Sequence, residues 1–125
     1  MRIDRIVKLV VDALEDIKGR DILVLNTRSQ TALFDRIVIA SGDSTRQTAA
    51  MAENVRERAK AAGLKVVGLE GERTGEWVLV DLGDVVVHIM QPAIRSYYNL
   101  EELWGASAKP VKPKPALARK AKAGA

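Results

Sequence analysis

The segment Trp77-Val-Leu-Val-Asp81-Leu-Gly83-Asp84-Val-Val-Val-His88-Ile-Met90 reads as two strands and the turn between them. Two apolar runs, about Trp77–Leu82 and Val85–Met90, are parted only by Gly83-Asp84, the signature of a tight hairpin. Alternation along the second run puts Val86, His88 and Met90 on one face and Val85, Val87 and Ile89 on the other. Working toward the N-terminus, Glu70 to Gly75 holds two glycines and reads as a turn or functional loop, preceded by a third apolar segment at about Lys65–Glu70. A helix is expected from near Ser44, because Ser44-Thr-Arg-Gln47 fits a capping box. Ala49, Ala52, Val55, Ala59 and Ala62 form a small-residue stripe that lets this helix approach a sheet, and Gly63 stops it. Before it lie strands at about Asp21–Asn26 and Phe34–Ala40, joined by the polar turn Thr27–Thr31. Ile3, Ile6, Val7, Val10, Leu14 and Ile17 line one face of a helix over 3–18, with Gly19 expected as its left-handed C-cap. On the C-terminal side, Pro92 opens a short helical region in which Asn99 and Glu102 form a cap. The order α-β-β-α-β-β-β-α predicts an α/β fold: a mixed sheet of about five strands with helices packed against it.

The chain has 125 residues, enough for one domain with one core. At 47% hydrophobic and 29% charged, it has the balance of a globular protein. With no cysteine, it has no disulfide framework, thiolate metal site or cysteine nucleophile. A single histidine, His88, excludes any site that needs two imidazoles. No apolar run approaches the ~20 residues of a membrane span, and charges interrupt the N-terminal segment too often for a secretory signal. A cytoplasmic chain is expected. The net charge of +4 and the pI of 9.6 mislead until divided by position. Lys109, Lys112, Lys114, Arg119, Lys120 and Lys122 are followed or separated by no acid, so residues 1–108 carry 14 basic against 16 acidic residues, a net of −2. Proline and like charges predict a disordered basic tail over 107–125, following a domain at 1–106.

Several residues could carry chemistry. Ser41-Gly-Asp-Ser44 sits between a strand and a helix, where backbone N–H groups can hold phosphate, but it lacks a P-loop lysine and reads first as a turn and cap. Asp81 and Asp84 would suit a metal-dependent transferase, yet their spacing argues against it. A metal pair on a strand needs Asp-x-Asp on one face. His88 has no Ser or Cys nucleophile motif beside it, and a lone strand histidine is more often structural or an interface contact. Four of the five aromatics, Trp77, Tyr97, Tyr98 and Trp104, fall within 28 residues and have Arg95 beside them. That is the composition of a binding hot spot; for Trp104 the core is the simpler reading.

Read together, Glu70-Gly71, Gly75-Glu-Trp77-Val-Leu-Val-Asp81, Gly83-Asp84-Val-Val-Val-His88 and Arg95-Ser-Tyr-Tyr98-Asn-Leu-Glu101-Glu-Leu-Trp104 resemble the ribosomal silencing factor, or Iojap-related, family. Asp21-Ile-Leu-Val-Leu, and Phe34-Asp35 through Gly42-Asp-Ser44-Thr-Arg46-Gln47, are similar to its N-terminal half, so the resemblance covers about 3–106. It implies a nucleotidyltransferase-like sandwich without catalytic carboxylates, and a translation repressor rather than an enzyme. Such a protein binds the large ribosomal subunit through ribosomal protein L fourteen and sterically blocks the small subunit under nutrient limitation or in stationary phase. Organelle relatives act in ribosome assembly, which leaves a large-subunit biogenesis role as the alternative. Matching positions places the partner surface on Glu70, Gly71, Trp77, Asp81, His88, Arg95, Tyr98 and Leu100, with Leu100 and Leu103 either an apolar rim or core. Met90 and Asp35-Arg-Ile depart from relatives that carry aromatics there. The resemblance implies no cofactor, metal, small-molecule substrate or membrane, and a monomer on the ribosome; a homodimer when free stays open. The six basic residues of the tail lie outside it and are candidates for rRNA phosphate contact. An active nucleotidyltransferase and a tail-driven RNA-binding module are the competing readings.

Overall fold

A computed structural model describes residues 2–103 and 108–110. In chain order its elements are α1 (Ile3–Asp16), β1 (Arg20–Asn26), β2 (Arg36–Ser41), α2 (Thr45–Ala61), β3 (Gly68–Glu70), β4 (Trp77–Asp81), β5 (Val85–Met90), α3 (Pro92–Tyr98), α4 (Leu100–Leu103) and β6 (Ala108–Pro110). The strands form one mixed sheet in the order β3-β4-β5-β2-β1-β6. β2 and β5 are parallel and every other neighbouring pair is antiparallel. All five expected strands are present, although the first after α2 is shorter than Lys65–Glu70 and occupies only Gly68–Glu70.

The sheet has two apolar faces of unequal cover. On one, Val38, Ala40, Val78, Val80, Val85, Val87 and Ile89 are buried under α1 and α2, which contribute Ile6, Val10, Leu14, Met51, Ala52, Val55 and Ala59. The small residues of α2 are what allow that closeness. The opposite face holds a smaller cluster of Leu25, Ile37, Ile39 and Met90, against which Ile94 and Leu100 pack. α3 and α4 thus run as a strap across this second face. Met90 is fully buried there, so its departure from the family pattern is a matter of packing.

The start of α2 follows the expectation in one half and modifies it in the other. Ser44 Oγ accepts the Gln47 amide at 3.0 Å, but Gln47 Oε1 accepts the Asp43 amide (2.7 Å) and its Nε2 donates to Ile17 O and Lys18 O. Gln47 therefore ties the start of α2 to the end of α1. That end differs from the expected Gly19 cap. The helix stops at Asp16, Lys18 takes the left-handed conformation (φ 61°), Lys18 N–H bonds Glu15 O, and Gly19 N–H bonds Leu14 O. This is a Schellman motif with lysine at the left-handed position and glycine one residue beyond. Gly19 is needed for space, since a Cβ would lie 2.9 Å from the Leu14 carbonyl oxygen and 2.6 Å from the Met51 methyl.

The tail departs from expectation over three residues. Ala108–Pro110, expected in a disordered segment, pairs antiparallel with β1, Val24 opposite Lys109 and Leu25 opposite Ala108. The backbone at Lys109 is thereby part of the sheet. An open β1 edge offers unpaired N–H and C=O groups that an extended segment satisfies. Lys112, Lys114, Arg119, Lys120, Lys122 and Trp104 lie outside the described residues.

Lys18 bears the steric cost of a left-handed residue with a Cβ. Lys18→Gly is expected to stabilise the protein by roughly 1 kcal/mol, read as a rise in urea midpoint; an unchanged or lower midpoint would refute this account of the cap.

Candidate protein-docking face

Register places the candidate residues on the strap side of the sheet. Glu70 lies opposite Leu79, Leu79 opposite His88, His88 beside Ile39, and Ile39 opposite Leu23, so these five form one cross-strand row. The next row is Trp77, Met90 and Ser41. Paired residues share a face. The row ends that α3 and α4 leave uncovered are therefore Glu70, Leu79, Trp77 and part of His88.

The loop before β4 fixes the position of Trp77. Gly71 has φ +86°, and a Cβ there would fall 2.0 Å from the Trp77 carbonyl oxygen, so only glycine allows the backbone to pass. The loop closes through Gly75 N–H to Gly71 O at 3.0 Å. It is anchored by Thr48 Oγ1 (2.6 Å) and Gln91 Nε2 (3.1 Å), both donating to Gly75 O. Gly71 thus fixes the path of the backbone that leads into Trp77.

Trp77, His88 and Tyr98 meet. The Trp77 indole N–H donates to His88 Nδ1 at 3.0 Å, and the Trp77 and Tyr98 rings lie 4.9 Å apart at a 49° tilt. Tyr97 stands edge-on to Tyr98 at 5.0 Å. Tyr97 and Tyr98 are 76% and 55% exposed, and Leu103 is 70% exposed at the next helix. The result is an aromatic surface with one polar floor group. Tyr97 was not among the matched positions; the clustering of the scarce aromatics was the signal for it.

The other matched residues support this surface. The Arg95 side chain is only 12% exposed; its guanidinium donates to Ser41 Oγ (2.9 Å) and pairs with Glu101 (3.3 Å). It pins α3 to the end of β2 and to α4. Asn99, left-handed at φ 48°, turns the chain between the two helices, and its amide donates to Glu102 Oε2 at 2.7 Å. Leu100 is half-buried in the second core cluster, whereas Leu103 faces out, which divides the two leucines between core and rim. Asp81 sits about 13 Å along β4 from Trp77, and its Oδ1 accepts the Gly83 amide at 2.8 Å. Its visible role is to hold the hairpin turn. Among the described residues no group of three or more His, Asp or Glu side chains could hold a metal ion, and no helix is long and apolar enough to cross a membrane. A shallow groove between α1 and α2, lined in part by Arg5, Lys8, Asp12 and Arg58, contains none of the matched residues.

Burial pushes the His88 imidazole down from 6.5 to about 4. The ring is neutral in the folded protein at neutral pH, while an unfolded chain takes up the proton near 6.5. Between these values the unfolded state binds more protons, so stability is full above 6.5 and falls as pH drops toward 4. Denaturant unfolding across that window should show wild type losing up to about 3 kcal/mol more than His88→Gln; parallel pH profiles for the two would refute it.

Comparison with known proteins bears on the family and the fold. The family model described as "Ribosomal silencing factor during starvation" matches residues 1–125. The "Ribosomal silencing factor RsfS" of Chromobacterium violaceum is 56% identical over 105 residues, covering 84% of this chain and 86% of that protein. A crystal structure of a Chromobacterium violaceum protein superposes with a TM-score of 0.83 at 53% identity, covering 93% of each chain. The mouse protein named "Mitochondrial assembly of ribosomal large subunit protein 1" is 34% identical over 101 residues, 78% of this chain and 44% of that one.

Proposed function

Since the chain belongs to the ribosomal silencing factor family, we propose that it represses translation by docking on the large ribosomal subunit and excluding the small one. The docking partner is ribosomal protein L fourteen, and the docking surface is the Trp77–Tyr98–Tyr97 face with Glu70 at its edge. The observation that carries this reading is the exposed aromatic surface itself, built on a rigid sheet and braced by a mostly buried arginine. Large aromatics held at a solvent boundary are the side chains that dominate protein interfaces. The body is acidic on balance, which suits a basic partner. The mechanism is steric and needs no bond-making step, so the protein acts in the cytoplasm without catalysis, as a monomer when docked. A homodimer formed through the same aromatic face when free would compete with docking. The large-subunit assembly named for the mouse relative supports a second reading, in which the same contact serves late biogenesis.

Sedimentation of purified large and small subunits at joining concentrations of magnesium tests the main reading. Wild type should travel with the large subunit and deplete joined ribosomes. Trp77→Ala and Tyr98→Ala should each weaken binding by tenfold or more, as expected of hot-spot aromatics worth about 2 kcal/mol. Wild type left at the top of the gradient, with joining unimpaired, would overturn it.

The basic residues Lys112, Lys114, Arg119, Lys120 and Lys122 add a proposed contact with rRNA phosphates. Removing residues 111–125, which spares β6, should flatten the salt dependence of binding by about one logarithmic unit for each phosphate that the tail neutralises. Equal slopes for full-length and truncated proteins would refute the tail contact.

A further inference from the structure

The Trp77 side chain packs against the buried cluster around Met90, and two further groups meet its ring. Tyr98 packs against its ring, and His88 receives its N–H. An indole nitrogen can only donate. Nδ1 of His88 must therefore be the bare nitrogen, and the neutral imidazole carries its proton on Nε2. The Trp77 and His88 ring centres are 5.8 Å apart at a 49° tilt, so the hydrogen bond, more than ring stacking, relates the two side chains. The Gly71 passage fixes the Trp77 backbone, and packing on the Met90 cluster seats the ring without supplying a partner for its N–H. His88 is itself well fixed. It stands in the middle of β5, between Leu79 on β4 and Ile39 on β2. A bond from an inner strand to a half-buried tryptophan at the start of its neighbour transfers that rigidity outward.

We propose that His88 is a positioning residue of the docking face, whose unprotonated Nδ1 holds the Trp77 indole in the orientation against which Tyr98 packs. A partner then meets an aromatic surface that is already formed. Freezing a loose side chain on binding costs affinity, and a second fixed group that does this beforehand recovers it. Burial keeps the imidazole in its accepting form at neutral pH. The inference rests on the docking reading above, and its test separates the two.

In full-length protein, the indole N–H resonance of Trp77 would be recorded, identified by its loss in Trp77→Phe, alongside affinity for purified large subunits. His88→Leu removes the acceptor; His88→Gln restores one through its side-chain oxygen. In His88→Leu the indole resonance should move upfield and affinity should fall about tenfold, with His88→Gln recovering most of that loss. An indole resonance unmoved by His88→Leu, or one that moves without any loss of affinity, would overturn the positioning role. Equal losses in both variants would overturn it as well, marking a role of the imidazole other than accepting from Trp77. If His88→Leu fails to fold, His88→Gln decides: a retained downfield resonance with affinity near wild type supports the inference, and a lost resonance with unchanged affinity refutes it. If wild type does not bind large subunits at all, the docking reading fails and the positioning role fails with it, even where the indole resonance reports the bond intact.

Discussion

The parallel pairing of β2 with β5 is the constraint from which the rest of the molecule follows. The two strands run side by side from Arg36 against Val85 to Ser41 against Met90. A parallel pair cannot be closed by a hairpin, so the chain must cross over, and α2 makes the crossing. Central strands are buried on both sides, which explains why Ile37-Val-Ile-Ala40 is apolar without alternation. Two layers are then required. α1 and α2 form one, and the strap of α3 and α4 forms the other. Because the strands are parallel, both end at the same edge of the sheet. Gly42 N–H bonds Met90 O there, and Arg95 reaches Ser41 from a helix that begins two residues after β5. The aromatic face of Trp77 and Tyr98 stands where the strap lands.

Most of this was legible in the sequence where a local pattern determined it. The β4–β5 hairpin, the spacing of apolar residues in α1, the Ser44 cap and the mixed sheet all follow from periodicity and turn chemistry. The misreadings share a cause, which is tertiary context. Gly19 has the position and type of a helix cap, yet it sits closely between the Leu14 carbonyl and Met51 of a distant helix, and Lys18 takes the left-handed turn instead. Ala108–Pro110 has the composition of a linker, yet it meets an unsatisfied strand edge some 80 residues earlier in the chain. Neither partner is visible in a local window. The same holds for Arg95, which its place beside the clustered aromatics put among the binding residues and whose side chain turns inward to Ser41 and Glu101.

The residues matched by resemblance divide into two kinds once placed in space. Trp77, Tyr98 and Glu70 present themselves outward. Gly71, Asp81, Arg95 and Leu100 hold the surface that presents them, through a backbone passage, a turn, a partly buried ion pair and a packed side chain respectively. His88 belongs between the groups, half-buried and bonded to the most central aromatic. Sequence matching selects both kinds alike, because a face depends on its frame as much as on the side chains it presents.

The two rims of the sheet are equally instructive. β3 and β6, which border it on either side, are each three residues long, and β6 ends on Pro110, a residue with no N–H to offer. A short rim gives a second sheet almost nothing to add to, and proline withholds a donor where growth would begin. A protein that displays tyrosines and leucine on one surface risks self-stacking into aggregates. Here the backbone ladder is short at both margins, so what the molecule offers a neighbour is side chains and not a strand edge.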